Sequence, residues 1–246
     1  MPEKIAFITG GNRGLGFQTA LDLKDIAKVT IGSRDLAAGQ AAVEKLRDAG
    51  VDAEVIEFDI TSRESHRAAY DYFAAKYGRL DILVNNAGVA GGVFPGTGPE
   101  HRAADVPEEV LRRVFETNFF AQVALTDTLL PLLKKSPAGR IVNLSSILGS
   151  LTLHADPNSP IYHAKSFAYD ASKTALNAFT VHLAYELQGT NVKVNSAHPG
   201  WVKTDMGGPQ APMELKDGAR TSVALATLAD DGPSGGYFHE GQTLPW

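Results

Sequence analysis

Two tyrosine–lysine pairs lie in one short stretch, "IYHAKSFAYDASKTAL", residues 161–176: Tyr162 with Lys165, and Tyr169 with Lys173. A phenol ionises near pH ~10, so it exchanges protons at neutral pH only where something favours its anion, and a nearby ammonium does so. Residues four apart on a helix share a face. Tyr169 has its lysine at that spacing, and the pattern "TALNAFTVHLAYEL" carries the helix onward. Tyr162 follows Pro160, has Ser166 at the fourth position, and is read with Lys165 as a loop residue near a pocket entrance. Further polar groups fit the same chemistry. Ser145 and Ser146 end a strand pattern in "GRIVNLSSILG", where a hydroxyl is placed to donate to a carbonyl oxygen or to cap a turn. Asn118 in "ETNFF" falls mid-helix, an unfavourable place for asparagine unless its side chain faces solvent or finds a partner. The seven histidines lack the paired spacing of a zinc site, so no metal is expected, and without cysteine there is no thiolate chemistry.

Short β-rich runs at 4–9, 27–33, 53–58, 81–86, 140–145 and 192–197 alternate with helical patterns at 15–26, 36–49, 62–77, 107–135 and 167–188. The strands are mostly continuous in Val, Ile and other apolar residues, as in a parallel sheet covered on both faces. The expected fold is α/β: a Rossmann-type doubly wound parallel sheet flanked by helices, one domain over 1–246. Two irregular segments, 88–107 and 149–160, follow the carboxyl ends of strands, where such sheets bind ligands. Phe94, Trp201 and Met206 are candidates for an apolar pocket wall, and His154 and His163 for substrate contacts.

The first strand-to-helix turn reads "ITGGNRGLGFQTALDL", with Gly10, Gly14 and Gly16. Glycines there let the backbone approach a pyrophosphate, which sits at the helix N-terminus. Cofactor choice is read at the end of the second strand, "IGSRD", where an acid would hold a ribose hydroxyl and an arginine a 2′-phosphate. Ser33 occupies the acidic position and Arg34 follows, with Arg13 available from the glycine turn. Asp35 is the contrary residue. The charge pattern favours NADPH/NADP over NAD.

"TGGNRGLG", "LVNNAG" (83–88), "TNFF" (117–120), "GRIVNLSSILG" (139–149), "YDASK" (169–173) and "HPGWVKTDMGG" (198–208) occur in the order of the short-chain dehydrogenase/reductase family, which the chain resembles over nearly its whole length. "TGGNRGLG", "TNFF", "PGWVKTDM" and the ending "DDGPSGGYF…W" resemble its carbonyl reductase branch. The resemblance implies a tetrad of Asn118, Ser146, Tyr169 and Lys173; Ser146 is the match because it directly precedes "ILG". In that scheme Tyr169 protonates the carbonyl oxygen while hydride arrives from the nicotinamide. Ser146 hydrogen-bonds that oxygen, Lys173 holds the nicotinamide ribose and lowers the tyrosine pKa, and Asn118 holds a water for proton resupply. It also implies cofactor contacts at Gly10, Asn12, Arg13, Gly14, Leu15, Gly16 and Arg34, at Asp59 and Ile60 for the adenine, and at Asn86, Ala87 and Gly88 for the adenosine ribose. Tyr169 and Lys173 join these, and Pro199, Gly200, Val202 and Thr204 fix the carboxamide. The chain departs from the family in carrying extra residues between Ser146 and Tyr169. That segment lies beside the expected pocket and beside the helix through which many members form dimers or tetramers, so homo-oligomer and monomer both stay open.

The implied activity is NADPH-dependent reduction of an aldehyde or ketone. The same parts serve an imine or a conjugated double bond, and a non-catalytic nucleotide-sensing protein keeps the same fold. Retention of all four tetrad matches argues for turnover. A formal net charge of −5 without a basic stripe argues against a nucleic-acid partner. With no signal-peptide pattern and no run long enough to span a membrane, the expected placement is cytoplasmic, with no membrane partner.

Overall fold

The computed structural model describes residues 3–91 and 102–246. Its centre is an eight-stranded sheet ordered β3-β2-β1-β4-β5-β6-β7-β8. The strands are β1 (Lys4–Thr9), β2 (Ala27–Ser33), β3 (Ala53–Glu57), β4 (Ile82–Asn85), β5 (Arg140–Leu144), β6 (Lys193–Ala197), β7 (Tyr237–His239) and β8 (Gln242–Thr243). All neighbours are parallel except β7 and β8, which are antiparallel. β7 and β8 extend the sheet beyond the six strands the pattern indicates. At three and two residues they are too short to show a period in sequence.

Near-continuous apolar strands arise because successive side chains enter two cores. From β1, Ile5 and Phe7 join Phe73, Leu125 and Leu183 on one face, while Ala6 and Ile8 join Val29, Leu46 and Leu225 on the other. The first face is covered by α3 (Arg63–Lys76), α5 (Ala121–Leu133) and α7 (Phe167–Glu186). The second is covered by α1 (Gly14–Asp22), α2 (Leu36–Asp48) and α8 (Leu215–Ala226), the last a helix the sequence reading did not contain.

The single helix expected over 107–135 is three pieces in continuous path: α4 (Glu108–Phe115), a π-helical turn (Glu116–Phe120) and α5. The segment read as irregular after β5 holds a 3-10 turn, Ile147–Gly149, and a short helix α6 (Leu151–Ala155). Its amide at Thr152 donates to the carbonyl of Trp246 at 2.8 Å, and the Trp246 ring stacks on Tyr237 at 5.4 Å. At the opposite end of the sheet Arg140 is 1% exposed. Its guanidinium donates to the carbonyls of Gly139 (2.9 Å), Asn191 (3.3 Å) and Leu228 (2.8 and 3.0 Å) and to the Asp230 carboxylate (2.9 Å).

Candidate active site

Strand order reverses between β1 and β4, which opens a crevice at their carboxyl ends. The glycine turn enters it with φ of 63° at Gly10 and 55° at Gly14, a region that favours glycine. A Cβ on Gly16 would stand 2.5 Å from Asn86 Nδ2 and 2.6 Å from the Gly10 carbonyl, so the helix start packs directly on the end of β4. Asn86 Nδ2 donates to the carbonyls of Thr9 (2.7 Å) and Gly10 (3.2 Å), while the Thr9 hydroxyl accepts from the amides of Asn86 (3.0 Å) and Ala87 (2.9 Å). The Asn86 side chain is therefore a brace, and the main chain of 86–88 forms the crevice wall. α1 begins with no side-chain cap from Arg13 and no acid in its first turn, so its leading N–H groups suit an anion such as a pyrophosphate. Asn12 is half-buried in the turn, and Leu15 faces Gly218 of α8.

At the end of β2, the Ser33 hydroxyl donates to the Asp35 carbonyl at 2.7 Å. The Asp35 carboxylate accepts from the Ala38 amide at 3.0 Å as the N-cap of α2. The residue that argued for NAD is thus engaged in starting a helix, and Arg34 beside it is exposed. Arg13 crosses from the glycine turn to Asp205 in the loop after β6, with a 2.7 Å contact between largely exposed side chains. Asp59 closes its own turn by accepting from Thr61, and the Ile60 side chain lies in the core, which leaves only its main chain for a ligand. In the loop after β6, Val202 is buried, Thr204 Oγ1 accepts from the Gly207 amide at 2.9 Å, and half-buried Pro199 leads into Gly200.

Tyr169, Lys173, Ser146 and Asn118 come together at the other side of the crevice. The Tyr169 hydroxyl is hydrogen-bonded to Ser146. Ser146 also caps the 3-10 turn, accepting from the Leu148 amide at 3.3 Å. Lys173 Nζ lies 5.6 Å from the centre of the Tyr169 ring and donates to the Leu144 carbonyl at 2.7 Å. Fully buried Asn118 finds its partners in the loop after β4 and in α7. Its Oδ1 accepts from the Val89 amide (2.8 Å), and its Nδ2 donates to the Val89 carbonyl (2.9 Å) and to Ser172 Oγ (3.0 Å). The π-helical turn sets this residue inward, and its side chain ties the loop to α7.

Burial pushes Tyr169 up to about 12; the Asp170 charge adds to this and the Ser146 hydrogen bond opposes it. Burial pulls Lys173 down to about 8. Between that value and the ~10.5 of an unfolded lysine, the unfolded chain holds a proton the folded one has released, so the lysine's contribution to stability rises with pH there. Below pH 8 both states are charged and the folded state bears the full cost of the buried ammonium. Urea unfolding of the wild type and Lys173→Met should therefore differ by an amount that moves toward the wild type by about 1.4 kcal/mol per pH unit between pH 8 and 10. Parallel pH dependences would contradict it.

One residue that shapes the site, His198, did not stand out in the sequence as a site residue. His198 at the end of β6 accepts through Nδ1 from the Ile147 amide (3.1 Å) and the Gly200 amide (3.4 Å), joining the turn after Ser146 to the Pro199–Gly200 bend. Burial holds His198 neutral, with its pKa pulled down to about 3. Its position between a strand and a Pro-Gly bend was the available signal. Leu148, Ile161, Leu153, Ala164 and Met206 pack around Tyr169, so Met206 and the extra segment form an apolar wall. Trp201 is half exposed and donates to the Gly207 carbonyl at 2.8 Å, and His163 is exposed. Phe94 lies outside the described residues. Among the described residues, no group of three or more acidic, histidine or cysteine side chains is arranged to hold a metal, and no helix is long and apolar enough to cross a membrane.

The family model described as short chain dehydrogenase matches residues 4–215. "Carbonyl reductase [NADPH] 1" of Mus musculus is 33% identical over 98% of this chain and 98% of its own length. Among solved structures, the carbonyl reductase Sniffer of D. melanogaster superposes with a TM-score of 0.82 at 29% identity, over 99% of this chain and 100% of that one. Salutaridine reductase from Papaver somniferum gives 0.81 at 29% identity, over 97% and 100%. The crevice at the strand reversal, the glycine turn that opens on it and the full-length likeness lead to one conclusion: the chain belongs to the short-chain dehydrogenase/reductase family.

Proposed function

We propose that the protein is an NADPH-dependent reductase of small aldehydes or ketones, with Asn118, Ser146, Tyr169 and Lys173 as its working residues. The observation that carries this reading is the buried Tyr169 hydroxyl, bonded to Ser146, with the Lys173 ammonium against its ring. When bound, the reduced nicotinamide supplies a hydride. Tyr169 donates its proton to the substrate oxygen, and Ser146 donates a hydrogen bond to the same oxygen. Reduction requires the neutral phenol, and burial favours that form. Lys173 steadies the phenolate left behind, and Asn118 holds the loop after β4 against α7 so that the lysine stays in place.

The residues present suit a dinucleotide. The main chain at Gly10, Asn12, Arg13, Gly14, Leu15 and Gly16 would hold the pyrophosphate, Arg34 and Arg13 a 2′-phosphate, and Asp59 with the Ile60 main chain the adenine. Asn86, Ala87 and Gly88 would line the adenosine ribose, and Pro199, Gly200, Val202 and Thr204 the carboxamide. The engagement of Asp35 in the α2 cap supports NADPH over NADH, and the mouse relative is itself named for NADPH.

Loss of reduced-nicotinamide absorbance should be seen with NADPH and part of a broad panel of aldehydes and ketones. No consumption across the panel sinks the reading. Arg34→Ala should raise KM for NADPH about tenfold, the worth of a charge-assisted contact, and leave NADH within about twofold. Equal effects on both would remove Arg34 from the phosphate site.

A further inference from the structure

The second tyrosine–lysine pair and the histidine of the extra segment are not idle. His154 Nε2 lies 2.9 Å from the Leu148 carbonyl and 3.4 Å from the Asp170 carboxylate. Leu148 is two residues beyond Ser146, and Asp170 directly follows Tyr169. The imidazole thus bridges the turn that carries Ser146 and the first turn of the helix that carries Tyr169. On its other edge, Lys165 Nζ lies 3.0 Å from His154 Nδ1 and donates to the His154 carbonyl at 2.8 Å. An ammonium has only protons to offer, so Nδ1 accepts and the ring proton sits on Nε2, aimed at Leu148 with Asp170 alongside. Lys165 is held in turn over the Tyr162 ring, 5.0 Å from its centre. Asp170 also accepts from the Ser166 amide at 2.8 Å, which fastens the start of α7.

We propose that His154 is a positioning residue for the reaction: its ring, locked in one tautomer by Lys165, sets the separation of Ser146 and Tyr169 through Leu148 and Asp170. The inference rests on the reductase reading of the same site. The Ser146 hydrogen bond lowers the tyrosine pKa and the Asp170 charge raises it, so the two halves of the bridge act on the phenol with opposite sign. The titratable groups facing Tyr169 are Asp170 and Lys173 from α7 and Tyr237 from β7; those facing His154 are Lys165 and Asp170. Burial and the Lys165 charge both hold His154 below the usual histidine range, in keeping with a neutral ring.

The test uses the full chain with NADP(H) and a carbonyl/alcohol pair that the wild type turns over. His154→Leu should lower kcat about tenfold or more, as expected for a misplaced donor, with KM for the cofactor unchanged. In the alcohol-oxidising direction, where the phenolate is needed, its activity limb should move to higher pH by about half a unit or more. Asp170→Asn, which removes the charge, should move that limb to lower pH. His154→Gln, which restores a donor near Nε2, should recover most of kcat and the wild-type limb, and it serves if the leucine variant does not fold. Independently of turnover, imidazole nitrogen NMR of the cofactor-free protein should show a proton on Nε2, and Lys165→Met should weaken that preference. An unmoved limb with kcat within about twofold in both His154 variants overturns the proposal, as does a proton on Nδ1. A wild type that turns over nothing counts against the reductase reading instead, while the NMR result still stands or fails alone.

Discussion

Tyr169→Phe should lower kcat by about 10²–10⁴-fold while leaving the Kd for NADPH within about twofold. The substitution removes one oxygen and keeps the ring, so the apolar packing of Leu148, Ile161 and Met206 is retained. What is lost is the phenolic hydroxyl, with its proton and its hydrogen bond to Ser146. Stopped-flow single turnover would locate the loss in the hydride step, and cofactor fluorescence would confirm that binding survives. If the variant keeps a third or more of wild-type turnover, the proton comes from elsewhere and the role assigned to Tyr169 is wrong. Tyr162→Phe is the matched control. Phenylalanine keeps the ring under Lys165, so its effect should stay within about threefold.

Arg140→Met should cost about 2–4 kcal/mol of stability, read as a lower urea midpoint at an unchanged slope. Methionine keeps much of the apolar stem but leaves the part-buried carbonyls of Asn191 and Leu228 without their donor. Each such orphan costs about 1–3 kcal/mol. Arg140→Lys should recover only part, since one ammonium does not reach acceptors on both sides of a planar fork. The Asp230 side chain is 86% exposed, so Asp230→Ala should stay within about 1 kcal/mol. If Asp230→Ala were as damaging as Arg140→Met, the ion pair rather than the carbonyl contacts would be the source.

The six main strands were legible because each feeds both cores, and a residue such as Ile8 or Phe7 is apolar whichever face it meets. β7 was not legible, because three residues show no period and its partner β6 is remote in sequence, with Ser196 paired to Tyr237. Of the candidate site, the contact of Tyr169 with Lys173 was readable from their spacing on a long helix, since that fixes it locally. Asn118 gave a partial signal: an asparagine inside a helix needs a partner, but its partners Val89 and Ser172 lie 29 and 54 residues away. Asp35 could be read two ways, as a ribose partner or as the start of the helix expected at 36–49. Directly before Leu36 it has the place and chemistry of an N-cap. His154 was invisible as a bridge because its meaning depends on Leu148, Lys165 and Asp170 meeting across a turn that has no repeating pattern.

The acceptors around Arg140 also set an order of events during synthesis. Asn191 follows it by 51 residues, Leu228 by 88 and Asp230 by 90. A nascent chain that has already emerged through β5 therefore carries a guanidinium at the start of that strand with most of its partners still unmade. Closing the sheet around it early would bury a charge with few of its partners, which disfavours collapse before the last segment arrives. Native burial of β5 then becomes a late step, and fragments ending before residue 228 should remain open to proteases and chaperones.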